Sequence, residues 1–544
     1  MHVLTVAEMQ RCDTETIHTV GVPAMVLMER AAWAACQLLQ HRRPDFVSRS
    51  TSVLVLAGSG NNGGDALALA RMLHLAGHHL TVAAMPPKTP AAQAQTQILQ
   101  HLGVAVTVLG PQRPEPRWAD LADGLIIDGL FGVGLNRPLD DWLVHLVDAI
   151  NRQGSDLLAL DVPSGLHGDT GVPHPTAVQA TWTVGFGYPK TGLLTDAAAD
   201  HVGELWVADI GLDPRPVSAV QRRVRPVGDG LPTEFDCRIA DSHKGDFGRV
   251  LLIGGSPTMP GAILLATAGA LAAGPGYVTV ALPENLIPTA ATRFPAAMFQ
   301  PLPGASQPTL SALLEKASVV AIGPGLGLSP AASHLVEQVL ADAAMPVILD
   351  ADALTLAAAH PEWVRQRTAP TILTPHAGEA GRWLNVTSEE VQADRWGALE
   401  RLIGLTGATV VLKGARTLVG TPGGAVTVTT SGSPALARGG SGDVLTGLIA
   451  GLTAQRPAQM DRAVEAAVCW HGTAAGIAAA AHGMLSATWE RLIEAMPAAL
   501  RQETIPSPLP GLTRLIEPVT GLGWAGARGS SCGNAAPGPP RNRR

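Results

Sequence analysis

The chain has 544 residues, of which 46% are apolar and only 15% charged, with a formal net charge of −7. That length predicts two to four domains with well-buried cores. The weakly acidic balance gives no general pull toward nucleic acid or anionic membranes, and five scattered cysteines without C-x-x-C spacing argue against a disulfide framework or a zinc site.

The opening "EMQRCDTET" is polar and acidic, with no basic segment before an apolar stretch, so no signal peptide is expected. The longest apolar runs, such as "AILLATAGALAA", are too short and too rich in Gly and Ala to span a bilayer. The expected setting is a reducing cytoplasm.

A first α/β block runs from about residue 1 to 215, with strand candidates "SVLVLAG", "LTVAA", "LIIDGLFG", "LLALDVPSG", "ATWTVGFG" and "GELWVADIG". After the first of these, Gly58, Gly60 and Gly63 fit G-x-G-x-x-G, the dinucleotide fingerprint. Its second half is an acid about 20 positions on that binds the ribose. Here no Asp or Glu occurs between Asp65 and Glu115, so a dinucleotide cofactor held in the usual way is not expected. No Lys-Ser/Thr pair closes the loop as a P-loop would.

Three loops follow three strands on what is predicted to be one edge of a parallel sheet: "NNGGD", "DGLFGVGLNRPL" and "DVPSGLHGDTG". Together they supply Asn61, Asn62, Asp65, Asp128, Asp161 and Ser164, an oxygen-rich set suited to a hard cation. Each residue alone would serve as a cap or turn; three such loops together point to a site.

Residues 216–230, rich in Pro and charge, read as a linker. The second block, 231–502, carries "RVLLIGG", "GYVTVAL", "SVVAIGPG", "PVILDADAL", "TILTP" and "TVVLKG" as strand candidates, with Ala-rich helices between. Its Gly-rich turns place backbone N–H groups where an anion would sit. In "GGSGD", consecutive glycines open a helix and Asp443 follows in its first turn. An anion hole beside one carboxylate is what phosphoryl transfer to a hydroxyl requires. His376 reads equally as a structural histidine, and Lys413 equally as a solvated charge. The last segment, 503–544, has no core pattern and reads as a disordered tail.

In order, "GNNGGD", "D-x-LFG-x-GL-x-RP" and "D-x-PSGL-x-x-DTG" resemble the NAD(P)H-hydrate epimerase domain, the YjeF N-terminal domain, over about residues 1–212. The resemblance implies a Rossmann-like three-layer α/β/α fold and a potassium ion held by Asn62, Asp128 and Ser164. It further implies hydrate contacts at Asn61, Asn62, Gly63, Gly64 and Asp65, at Gly132, Val133, Gly134, Leu135, Asn136, Arg137 and Pro138, and at Asp161 as acid/base. Departures are Ala66 in place of a common glycine, and "LHGDTG".

"HKG-x-x-G-x-VL-x-IGGS", "GPGLG", "LDADAL", "TPH-x-GE", "KG-x-x-T" and "GGSGD" resemble the ADP/ATP-dependent NAD(P)H-hydrate dehydratase, a ribokinase-like α/β domain, over about residues 225–502. This implies a hydrate near Ala262, Gly325, His376 and Asp443, with Asp443 catalytic. Lys413, Gly414, Ala415, Arg416, Thr417 and Gly442 would hold the nucleotide, ADP with magnesium. Ala377 replaces the usual proline, and Arg438 is added beside the nucleotide site.

The implied protein is a bifunctional isomerase and lyase acting on NADHX and NADPHX, a homo-oligomer without nucleic-acid or membrane partners. The rival reading is a ribokinase-like vitamin-precursor kinase fused to a non-catalytic ligand-binding or scaffold domain. A chain ending near Gln502 is expected to keep both activities, and fragments cut near Pro226 to keep one each.

Overall fold

The computed structural model describes residues 1–43, 51–112, 124–135, 137–226, 238–302, 309–501 and 509–517. Among them are two sheets. The first contains β1 (Val53–Ala57), β2 (Leu80–Ala84), β3 (Val106–Val108), β4 (Leu125–Gly129), β5 (Asp156–Leu160), β6 (Trp182–Phe186) and β7 (Glu204–Ala208). Their spatial order is β7-β6-β5-β4-β1-β2-β3, all parallel, so the order reverses between β1 and β4. Loops leaving the carboxyl ends there have room for a ligand between them.

Alternate residues of the central strands supply two separate cores. Val53, Val55 and Ala57 face one helical layer, and Leu54 and Leu56 face the other. Burial on both faces explains why "VLVLA" is an unbroken apolar run.

The second sheet contains β8 (Arg222–Val224), β9 (Arg249–Ile253), β10 (Tyr277–Leu282), β11 (Met298–Pro301), β12 (Val319–Ile322), β13 (Val347–Leu349), β14 (Thr371–Leu373), β15 (Thr409–Leu412), β16 (Leu418–Gly420) and β17 (Val426–Val428). It runs β11-β10-β9-β12-β13-β14-β15-β16-β17-β8, reversing between β9 and β12. Strand β16 is antiparallel to both neighbours, and the other pairings are parallel. These are the two α/β blocks expected, each built on a largely parallel sheet. One buried cluster joins them, running from Leu193, Leu205 and Ile516 to Leu412, Leu418 and Val428.

Two expectations need correction. The linker contains β8, which pairs with β17 on one side. On the other it takes up the chain's first residues: Val3 N–H donates to the Arg222 carbonyl at 3.0 Å, and Val224 N–H to that of Met1 at 2.9 Å. Three residues reading Arg-Arg-Val carry no periodicity to betray a strand. The supposed tail contains β18 (Leu512–Ile516), which adds antiparallel to β7 and closes that edge of the first sheet. Its Leu512, Leu515 and Ile516 are buried, so this segment belongs to the core. The rest of the linker and tail, 227–237, 502–508 and 518–544, lies outside the described residues.

Each sheet thus takes an edge strand from beyond its own block. A cut near Pro226 would leave β8 on one fragment and β18 on the other, each away from its sheet. A chain ending at Gln502 is therefore expected to lose stability. Burying one Leu or Ile contributes about 1.5–3 kcal/mol, so losing β18 should lower the melting temperature by about 5 °C or more and leave β7 an open edge prone to association. Calorimetry and light scattering of the truncated chain check this; an unchanged melting temperature would show that β18 is dispensable.

Candidate active sites

The first site forms where β1 and β4 diverge. Gly58 and Gly63 are required there by close approach: a Cβ on Gly58 would lie 1.8 Å from the Leu130 carbonyl oxygen, and one on Gly63 would lie 1.9 Å from that of Gly58. The helix Asn61–Leu75 follows at once and carries Asn62 inward. Both polar atoms of the Asn62 amide are buried without a hydrogen-bond partner among the described residues. Buried amides are rarely left so.

Asp128, at the end of β4, is fully buried. Its Oδ1 accepts from Ser164 Oγ at 2.6 Å and from Leu130 N–H at 3.2 Å, and its Oδ2 accepts from Ser164 N–H at 2.8 Å. Burial pushes its pKa up to about 6, against the pull of these bonds.

Asp161 follows β5 with φ +65°, a left-handed conformation uncommon for a non-glycine residue. Its Oδ1 accepts from the buried Lys190 ammonium, and its Oδ2 from Val133 N–H at 3.3 Å. Lys190 also donates to the Phe186 carbonyl at 2.9 Å. A Cβ on Gly132 would sit 2.9 Å from Asp161 Oδ2, so glycine lets this loop close over the carboxylate.

Two more acids share the enclosure. Burial, with Asp161 and Asp13 as like charges, raises Asp65 well above the ordinary carboxyl range. Burial likewise raises Asp13 to about 6, with Asp161 adding to the shift and Lys190 opposing it. Sequence reasoning missed Lys190 and Asp13. Lys190 could have been found, since "GYPKTG" leaves β6 on the same sheet edge; Asp13 reads as one charge in a polar N-terminal helix.

The other expected contacts are dispersed. Asn61, Gly134, Arg137 and Pro138 are exposed, Leu135 is half-buried, and Asn136 lies outside the described residues. Gly63 and Gly64 are buried in the first helical turn. Gly64 serves packing, because a Cβ there would lie 2.3 Å from Met28 Cε.

The second site rests on two closely crossing helices, Pro260–Ala273 and Ser441–Gln455. A Cβ on Gly269 would lie 2.1 Å from the Val444 carbonyl oxygen, and one on Gly447 would lie 2.0 Å from that of Ala266. Ala262 and Gly325 meet beside this crossing: a Cβ on Gly325 would be 3.1 Å from that of Ala262. Gly440 caps the second helix at φ +94°, and Asp443 stands in its first turn.

Lys413 joins Asp443 to the rest. Its ammonium is 3.0 Å from Asp350 Oδ1 and 3.8 Å from Glu379 Oε2, and a Cβ on Gly442 would lie 3.5 Å from it. Asp350 also accepts from Thr446 and Thr374 hydroxyls, each at 2.7 Å. Its pKa is lowered, because Lys413 and these hydroxyls outweigh the cost of burial. Asp443 is pushed the other way, to about 7, by burial first and then by Asp350, with Asp352 and Glu379 adding and Lys413 opposing. Ala351, next to Asp350, has φ +48°, the strained backbone often met at working sites.

His376 caps the helix Ala377–Leu384, its Nδ1 accepting from Gly378 N–H at 3.0 Å and Glu379 N–H at 3.3 Å. Glu379 returns the bond to His376 N–H at 2.8 Å, so this capping box braces the turn with Ala377 in place of proline. His376 Nε2 lies 3.6 Å from Glu379 Oε2, linking the histidine to Lys413 through that acid. Arg438 donates to the carbonyls of Ala435, Met484 and Leu485, so its guanidinium ties backbone together. Asp350, Glu379 and Thr446 were not singled out from sequence. Asp350 and Glu379 lie inside quoted motifs, whereas Thr446 is one polar residue in an apolar helix.

Fold and sites define a two-unit α/β protein with a glycine-capped helix start beside Asp443 and Lys413 in the second unit and a buried acid cluster in the first. Family models match each unit: "YjeF-related protein N-terminus" over residues 24–192 and "NAD(P)H-hydrate dehydratase" over 250–498. A bifunctional NAD(P)H-hydrate repair enzyme of Thermofilum pendens is 37% identical over 92% of this chain and 96% of its own length. One from Escherichia coli K12 is 34% identical over 88% and 89%. The crystal structure of the ADP/ATP-dependent NAD(P)H-hydrate dehydratase of Bacillus subtilis, crystallised with ATP and Mg2+, is 32% identical, covering 51% of this chain and 95% of that one at a TM-score of 0.43. The chain belongs to the family of bifunctional NAD(P)H-hydrate repair enzymes.

The enclosed cluster around Lys190 makes that residue costly to remove. Lys190→Met is expected to destabilise the protein by about 3–5 kcal/mol at neutral pH, because Asp161 is left buried without its counter-charge. Denaturant unfolding checks this, and the deficit should shrink in acid as Asp13, raised to about 6 by burial and opposed in that shift by Lys190, takes up its proton. A pH-independent deficit would show that Lys190 contributes packing alone.

Proposed function

We propose that the first unit interconverts the R and S forms of NADHX and NADPHX, the hydrated reduced nicotinamide nucleotides, and that the second dehydrates the S form at the expense of ADP. The observation that carries the reading is the placing of Asp443, at a glycine-opened helix N-terminus, beside the Lys413–Asp350 ion pair. In the second unit the hydroxyl of the S hydrate loses its proton to Asp443 as its oxygen attacks the terminal phosphorus of ADP, releasing AMP. Loss of phosphate and a ring proton then restores the reduced nicotinamide. Lys413 and the backbone N–H groups at the helix start would hold the phosphoryl group.

In the first unit Asp161, held by Lys190 and Val133 N–H, is the acid/base at nicotinamide C6. Asn62, Asp128 and Ser164 would hold potassium, and the unpartnered Asn62 carbonyl fits that role. The ion would tie together the loops after β1, β4 and β5. Magnesium would enter with ADP and screen its phosphate charge. The vitamin-precursor kinase reading loses ground because relatives bearing the repair-enzyme name match both units together.

Asp443→Asn should lower dehydration by about 10²- to 10⁴-fold and leave epimerisation intact. Because the base works ionised, kcat/KM for dehydration should fall with acid below its pKa of about 7. Asp350→Asn removes a like charge and frees Lys413, so that limb should move to lower pH. Dehydration at the wild-type rate in Asp443→Asn would remove Asp443 from the mechanism.

Potassium has a readout independent of activity. Potassium chloride should raise the melting temperature more than sodium chloride at equal ionic strength, and Asn62→Ala should abolish the difference. Equal stabilisation by both salts, or a difference that survives in Asn62→Ala, would place the ion elsewhere.

A further inference from the structure

The 413–417 loop, which the proposed function assigns to the nucleotide, is held from outside its own unit. Asp196 belongs to the first unit, in the short 3-10 turn Asp196–Ala198. Its Oδ1 accepts the backbone N–H of Arg416 at 2.8 Å, and its Oδ2 lies 3.3 Å from Arg395 Nη1. Arg395 is itself buried, with a side chain only 1% exposed. Its Nη2 donates to the carbonyls of Leu412 at 3.0 Å, Lys413 at 3.4 Å and Arg416 at 3.3 Å, while Nη1 donates to Gln392 Oε1 at 2.9 Å.

The loop backbone therefore wraps one guanidinium whose counter-charge is supplied by the other unit. Gly414 is fitted to this arrangement. A Cβ there would lie 2.3 Å from Asp196 Oδ2 and 2.6 Å from Arg395 Nη2, so only glycine lets the strand end pass over the pair. Asp196 is held in turn through its neighbour, Thr195, whose hydroxyl donates to the Thr170 carbonyl at 3.1 Å and that of Gly192 at 3.0 Å. Thr170 belongs to the loop after β5 that also carries Asp161 and Ser164.

Without Asp196, Arg395 would be a buried cation facing only neutral oxygens, and the Arg416 amide would lose its acceptor. Both losses fall on backbone that must keep one shape to meet a phosphate or ribose. Gly414 and Ala415 stay exposed at the tip, so the contact braces the loop from beneath and leaves its outer side open.

We propose that Asp196 is a positioning residue for the nucleotide loop, so that the second unit's affinity for a nucleoside diphosphate depends on a carboxylate from the first. The proposal rests on the reading of 413–417 as a nucleotide site.

The test uses the full chain and the variants Asp196→Ala, Asp196→Asn and Asp196→Glu, with ADP as the nucleotide. KM for ADP should rise about tenfold in the Ala and Asn variants, within the range typical of coupled sites, with kcat within about twofold and epimerisation unchanged. Asp196→Glu, which keeps the charge, should recover part of the loss. Asn is nearly the same shape as Asp, so its result stands even if the Ala variant folds poorly. An ADP KM within about twofold of wild type in Asp196→Asn, or a fall in kcat alone, would overturn the proposal. Hydrogen exchange of residues 413–417 separates the two layers. If ADP protects this loop in the wild type while the Asn variant keeps its KM, only the role of Asp196 fails. If ADP gives no protection there, the nucleotide reading of the loop fails and this proposal with it.

Discussion

In each unit one lysine ammonium is shared among more carboxyls than it can neutralise. Lys190 faces Asp161 with Asp65 and Asp13 close by; Lys413 faces Asp350 and Glu379 with Asp443 beyond. In the second unit the carboxyl bonded to the lysine is held in its charged form, and the one left over is driven toward its neutral form. Asp350, bonded to Lys413, is lowered, whereas Asp443 is raised to about 7. Within one site one carboxyl is thus held charged and another is pushed toward neutrality, the kind of split by which proteins run acid and base chemistry near neutral pH.

The fold supplies these enclosures by the same means twice. Each sheet reverses its strand order once, and glycines bring the backbone of adjacent loops into contact at or beside that point: Gly58 against Leu130, and Gly323, whose Cβ would lie 1.9 Å from the Asp350 carbonyl oxygen. Close approach excludes water, and exclusion of water strengthens the charge interactions that tune the carboxyls. The two units are bound to each other by more than chain connectivity. Strand β8 sits at the edge of the second sheet against the chain's first residues, β18 completes the first sheet, and Asp196 reaches under the 413–417 loop.

Much of this was legible in the sequence, for reasons that can be named. The central parallel strands are buried on both faces, so β1, β9 and β12 read as unbroken apolar runs. The Gly-rich turns after them carried the loops Asn61, Asp128, Asp161 and Asp443 occupy. What stayed hidden was non-local or patternless. Strands β3, β8, β16 and β17 are three residues long, and β18 lies in a segment whose composition is dominated by Gly, Pro and Arg. Lys190, Asp13 and Asp196 are distant in sequence from the residues they serve, and single charges in turns or polar helices give no sign of their partners. His376 was legible as a motif residue but not as the helix cap that its Nδ1 makes it.

Two separate acid–base sites acting in succession on one damaged nucleotide can be told apart by supplying one epimer at a time. The most direct measurement supplies the purified R or S hydrate separately, with ADP and magnesium, and follows the return of reduced-nicotinamide absorbance in the wild type and in Asp161→Asn. The wild type is expected to restore absorbance from either epimer, and Asp161→Asn to restore it from the S hydrate at the wild-type rate but from the R hydrate far more slowly. Restoration from the R hydrate at the wild-type rate in Asp161→Asn would remove Asp161 from the epimerisation and leave no need for a first acid–base site there.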